Sequence, residues 1–211
     1  MPRRRLIIAL SLLLLLLAIA AGSWLAAGIA PSWYTPADPD DSAIESTSER
    51  MEFRVQQELQ RIRKDQPRWV LRIPDAIVND WLATRLGPWL RGQQIDWPKG
   101  VGTPQVRCRN GIIEVGVPLD ALSGRIGRID LEPVVSDTSI QLEPAGCSVG
   151  RLPIGVPSAW VLGDITDAPL LGIPVATIID LIDDRTVRIL DIRPTTGHIE
   201  LELETRPPSI P

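Results

Sequence analysis

A single histidine, His198, and two cysteines, Cys108 and Cys147, are all that 211 residues offer of the side chains that most often ligate metals or act as bases and nucleophiles. One His and two separated Cys do not complete the ligand set of a standard zinc site. His198 falls among glutamates on the polar side of a strand-like run and reads as an exposed polar residue. No Ser or Cys stands in a G-x-S-x-G context, no G-x-G-x-x-G follows a strand, and no phosphate-binding loop with its Lys is present. Phe and Tyr occur once each beside seven Trp, and the formal net charge is -4 with a pI near 5.1. That leaves neither a stacking platform nor a dense basic face, so nucleic acid is excluded as a partner. Asp164 and Asp167 lack the spacing of a calcium loop, and Asp180, Asp183 and Asp184 are followed by Arg185. Both groups read as solvated turn and helix-end charges. The expectation is a non-enzymatic protein with no catalytic residues, no metal and no cofactor.

Charge is also missing from one long run: nothing between Arg5 and Asp38 is ionisable except Tyr34. A bilayer core of ~30 Å needs about 20 apolar residues, and Leu6 to Ala30 satisfies this. Arg3, Arg4 and Arg5 make residues 1–5 a cytoplasmic basic N-terminus under the positive-inside rule, and residues 6–30 a signal anchor. A cleaved signal peptide with its site at Ala18-Ile19-Ala20 is the alternative. The apolar run continuing past that site, and Pro31 after Ala30, favour the uncleaved form. Either way the rest of the chain lies outside the cytoplasm: a Pro-, Ser- and acid-rich linker over 31–49, a domain over 50–207 and a tail over 208–211.

Twenty Pro and sixteen Gly point to many short elements joined by turns. A helix is expected from near Met51, capped by Thr47 or Ser48, with Met51, Val55, Leu59 and Ile62 as its apolar stripe and Arg54, Arg61, Arg63 and Lys64 on its polar face. RWVLRI (68–73) is strand-like. A second helix starts at Pro74, buries Ile77, Val78, Trp81, Leu82 and Leu86, and stops at Gly87-Pro88. Period two then takes over. Asn110-Gly111 joins two strand-like runs, the strongest short hairpin signal, and a second pair surrounds Ser136-Asp137. Consecutive pairs of this kind favour an antiparallel meander. Pro174 opens an expected third helix striped by Val175, Ile178, Ile179 and Ile182. Runs at 187–192 and 198–204 close the domain. The fold class is α+β: an N-terminal transmembrane helix followed by a curved antiparallel sheet packed against a few helices.

Cys108 and Cys147 fall in the first and fourth runs of the meander. An oxidising compartment permits a disulfide between them if the sheet curls or its strand order is permuted; two buried thiols are the alternative.

Four stretches carry a family likeness: AIVNDWLATRL with Asn79 near its start, IDLEPVVSDTSIQLEP with Glu132, Pro133 and Val135, CSVGRLPIGVPSAWVL with Ser148, Gly150, Leu152 and Ile154, and the closing HIELELE. Over roughly residues 75–204 the chain resembles the YpmS-like family (domain of unknown function 2140) of single-pass bacterial membrane proteins. The resemblance implies an extracytoplasmic antiparallel sheet wrapped against helices, and no catalytic residues.

Two functions are compatible with this. In the first, the domain binds or bridges a lipid or other apolar envelope molecule, with Ile113, Val115, Val117, Val149, Leu152, Ile154 and Val156 as candidate liners; the plainer reading makes them core. In the second, it is an envelope scaffold that meets another protein through a sheet edge or an Arg-rich face of Arg107, Arg109, Arg125, Arg128 and Arg151. Arg151 marks the junction between sheet and helices.

Overall fold

The computed structural model describes residues 2–38, 40–63, 65–154 and 175–208. The apolar N-terminal run forms one helix, α1 (Pro2–Gly28), whose stretch Ser11–Gly28 is long and apolar enough to cross a bilayer. A second helix, α2 (Ser42–Gln60), starts well before Met51, because Asp41 and not Thr47 or Ser48 caps it: the Asp41 carboxylate accepts from Ala43 N at 2.8 Å. Residues 42–49 of the expected linker are therefore helical. Ser48 is fully buried inside α2, donating to Ile44 O and accepting from Thr84 Oγ1 at 3.1 Å each. Ile62, expected on the apolar stripe, lies beyond the helix end and is exposed.

Strand β1 (Arg68–Pro74) leads directly into α3 (Asp75–Thr84), with Pro74 as the last strand residue and N-cap. Gly87-Pro88 does not stop the helical stretch as expected. The break falls at Arg85, and both residues enter the first turn of α4 (Leu86–Gly92), where proline's missing N–H costs nothing.

The meander appears where the alternation placed it: β2 (Gln105–Arg109), β3 (Ile112–Leu119), β4 (Arg125–Val135) and β5 (Ser139–Val149), each antiparallel to the next. Two short strands, β6 (Leu152–Pro153) and β7 (Val175–Ala176), pair with opposite ends of β5. The last strands do not join this sheet. β8 (Ile178–Asp180), β9 (Thr186–Thr195) and β10 (His198–Arg206) form a second antiparallel sheet with β1, in the order β1-β10-β9-β8. There are thus two sheets where one was expected.

In place of the helix expected from Pro174 the described residues form the short strands Val175–Ala176 and Ile178–Asp180, followed by a turn. Val175, Thr177, Ile178 and Ile179 are β-branched, which costs χ1 freedom in a helix and suits a pleated surface. Ile178 pairs with Arg188, and Ile182 projects into solvent at 88% exposure, so the supposed stripe has no helix to line.

Burial is concentrated where the two sheets meet. Ile140 of β5 packs with Val187, Ile189 and Leu203 of the second sheet, flanked by Leu201 and Val135. A smaller cluster of Cys108, Ile113 and Leu131 is joined by Ile199. The apolar side of the alternating strand β10 is therefore core, and its glutamates stay on the other side. The second sheet covers only one half of the meander's apolar face. The other half, toward Val117, Gly127 and Val149, is left to the groove described next.

Candidate functional site

Register fixes what shares that uncovered face. Val106, Val115, Ile129 and Cys147 stand in one row across β2 to β5, and Val117, Gly127 and Val149 in the next. Side chains alternate along a strand, so all of these point to one side of the sheet. They floor an apolar groove of about 420 Å³. Leu82 of α3 and Leu86 of α4 form one wall, and the 97–104 segment, through Trp97, Pro98, Val101 and Pro104, forms another. Leu119 and Leu122 lie toward one end, Leu131, Leu142 and Ile154 add apolar lining, and Arg128 and Ser148, whose side chains the register turns to the opposite face, also border it. Such a volume falls in the range of small-molecule sites, which are mostly apolar with a few polar groups.

Of the expected liners, Val115, Val117, Val149 and Ile154 line the groove. Ile113 does not: at 9% exposure it is part of the core against Cys108 and Leu131. Leu152 pairs with Val149 at the β5–β6 turn but is not among the lining residues. Val156 lies outside the described residues, as do Asp164 and Asp167. The helical wall comes from the expected apolar stripe, through Leu82 and Leu86, although these were not named as liners; the 97–104 wall was missed, because that segment has no period that marks it as facing the sheet. Trp97 is oriented by a hydrogen bond from its indole to Val101 O at 2.6 Å, a local link invisible to hydrophobic patterning.

The groove's end lies beside the exit of α1. At the β5–β6 turn, Arg151 N donates to Ala26 O at 3.0 Å and Gly150 N to Ile126 O at 2.8 Å. Gly150 has φ +56°, and a Cβ there would come within 2.7 Å of Ile29 O and closer still to Ala27 O. Arg125, at the start of β4, stacks its guanidinium 3.5 Å from the Trp24 ring. Arg151 is thus a junction, but between the meander and α1.

The opposite face of the meander is polar and is crossed by the chain leaving α1. Trp33 and Tyr34 lie over Gly116, where a Cβ would meet them at 2.9 and 3.1 Å. Thr35 and Gln105 exchange hydrogen bonds, and Tyr34 Oη donates to Thr103 O at 2.9 Å, with burial raising the Tyr34 pKa. Next to them the Arg-rich face is partly a charge network. Glu114 is 5% exposed and pairs with Arg107, with Arg109 at 3.6 Å and with Arg128 at 3.5 Å. Arg128 also reaches Asp130 at 3.0 Å. Burial raises the Asp130 pKa, partly opposed by Arg128.

Cys108 and Cys147 are both free, the first buried and the second half-buried. The disulfide reading fails on topology: β3 and β4 stand between their strands, so three spacings of ~4.8 Å separate them, against a Cα–Cα limit of about 7 Å for a bridge. Burial, then Asp75, raises the Cys108 pKa. His198 is half-buried, with Nε2 2.9 Å from Thr195 Oγ1 and 3.3 Å from Glu200. Among the described residues no cluster of His, Cys, Asp and Glu could hold a metal ion.

One sheet edge is already occupied. Asn79 donates to Val106 O at 2.9 Å and accepts from Val106 N at 2.7 Å, and Asp75 accepts from Cys108 N at 2.9 Å. The outer edge of β2 is thereby sealed by α3. No family model, curated protein or solved structure matches this chain.

Proposed function

We propose that this is a single-pass membrane protein of the YpmS-like kind, with its domain outside the cytoplasm, and that the groove takes an acyl chain of a membrane lipid, which the domain holds or bridges. The observation that carries this reading is the groove on the uncovered half of the meander, ending beside α1. Its floor of Val115, Val117, Ile129 and Val149 is apolar, and the charged lining residue Arg128 belongs to the row of Gly116 and Ser148, whose side chains point to the opposite face, which suits hydrocarbon and disfavours a polar ligand. The link between Arg151 N and Ala26 O ties that end of the sheet to a helix with the length and hydropathy of a bilayer span. Near the outer end of α1, Trp24 carries the Arg125 guanidinium, three residues after Leu122 in the chain. Leu122 is exposed and sits at the groove's end.

The test is photocrosslinking of the full chain in vesicles that carry a phospholipid with a diazirine in its acyl chain. Adducts on the Val115–Val117 and Ile129 strands support the groove, and Val117→Trp, which fills it, should remove them. Adducts confined to α1 would overturn the reading, leaving ordinary lipid contact with a membrane helix as the explanation.

A further inference from the structure

On the polar face of the meander, opposite the groove, lies a second pocket of about 340 Å³. Its walls are Pro31, Ser32 and Trp33 from the segment leaving α1, and Arg107, Arg128, Ser148 and Arg151 from the sheet and its β5–β6 turn. We infer that this pocket is a binding site for a phosphate-class oxyanion.

Three observations converge on that chemistry. First, among the described residues the pocket is lined by three guanidinium groups and no carboxylate. Arg107 and Arg128 are partly neutralised from behind by Glu114 and Asp130, whereas Arg151 is exposed and makes no ion pair among the described residues. Counting Arg109, four cations meet two anions here, in a chain whose overall charge is -4. Second, Ser148 is 4% exposed and its hydroxyl has no hydrogen-bond partner among the described residues, and Trp33 Nε1 is likewise buried and unpaired among them. Buried donors are nearly always satisfied, so two at one basic pocket call for an acceptor. Third, the frame is rigid. Ser148 and Arg128 are cross-strand partners, Arg151 is held through its backbone to Ala26 O, and Arg107 lies 5.0 Å over the Trp33 ring. Guanidinium, hydroxyl and indole donors around a shared space match the several acceptors of a phosphate oxygen set.

The phosphate can belong to a soluble ion or ester or to a phospholipid headgroup. The second source rests on the membrane reading above, since Pro31–Trp33 would then lie at headgroup depth; the anion site itself does not.

The experiment uses the full chain in a phosphate-free maltoside detergent, titrated calorimetrically with inorganic phosphate at constant ionic strength and, separately, with short-chain phosphatidylglycerol against the matching diacylglycerol. Saturable binding of phosphate identifies a soluble anion; binding of phosphatidylglycerol alone, without the diacylglycerol, identifies a headgroup. In either case Ser148→Ala and Arg151→Gln each weaken binding about tenfold or more, the usual worth of a hydrogen bond to a charged group. Without ligand, Ser148→Ala leaves the melting temperature unchanged or raises it, because it removes an unpaired hydroxyl; a purely structural Ser148 would give the opposite. The inference falls if neither probe binds saturably, or if binding is undiminished in both variants. Pocket and groove share Arg128 and Ser148 in their borders, but those side chains face the pocket and the Val117 row faces the groove, so that failure would leave the acyl-chain crosslinking unaffected, and failed crosslinking would not touch this result.

Discussion

The side-chain amide of Asn79 satisfies both the N–H and the C=O of Val106, at 2.7 and 2.9 Å, as a neighbouring strand would. A helix residue thus stands in for the missing partner of edge strand β2. The substitution Asn79→Ala strips both groups of their partner at once. Each lost bond of this type costs roughly 1–3 kcal/mol when the group stays away from water, so unfolding should require about 2 kcal/mol less in denaturant titration. A variant as stable as the parent would show that water replaces the amide.

Gly150→Ala should uncouple α1 from the sheet. The residue combines φ +56° with a Cβ position already occupied by carbonyl oxygens of α1. Left-handed backbone costs a non-glycine residue roughly 1–2 kcal/mol, and the clash adds to it. Limited proteolysis reads this directly: cleavage between residues 29 and 41 should be faster than in the parent.

The two thiols should behave differently and never pair. Cys147 lines the groove with its Sγ 3.6 Å from Ile154 O, while Cys108 is completely buried with its pKa raised. A maleimide applied to the native chain should modify Cys147 first, and Cys108 only after denaturation. Two free thiols should be counted in denaturant without reductant. Loss of Cys147 labelling on adding a fatty-acyl lipid would agree with an occupied groove.

Carboxylates on the two sheets should shift in opposite directions. Glu200 is held below the usual range by its bond from Arg72 and then by His198, and Glu204 by its bond from Arg206. A depressed folded pKa gives stability that is present above the unfolded value near 4.5 and is lost as pH falls through the folded one. Asp130 has the reverse sign: burial favours its protonated form, so its contribution weakens as pH rises from 3.8 through its raised pKa. Carboxyl NMR should show Asp130 titrating late, and Arg128→Gln should move it higher still, because that variant removes the cation that opposes burial.

Alternation along the strands and the Asn110-Gly111 turn carried the meander from β2 to β5 in full, because period two and turn chemistry are local. The division of β10 into a core side of Leu201 and Leu203 and an acidic side was equally legible. The region after residue 174 was misread for a definite reason: Val175, Ile178, Ile179 and Ile182 fit a helical stripe by spacing alone, but strand β9 supplies hydrogen bonds that a β-branched run accepts more readily. The start of α2 was misread because the cap at Asp41 lies in a segment whose Pro and Ser content suggests a linker.

Composition, turn residues and side-chain period are local, and they were enough to set the apolar N-terminal helix, the antiparallel pairing of the meander and which residues of each strand share a face. Tertiary structure alone decided that the last strands leave the meander to form a second sheet with β1. It also decided that this sheet covers only half of the apolar face, so that Ile113 becomes core while Val115 and Val117 floor a groove. The reason is that period two sorts residues between two faces and says nothing about what will be laid against either of them.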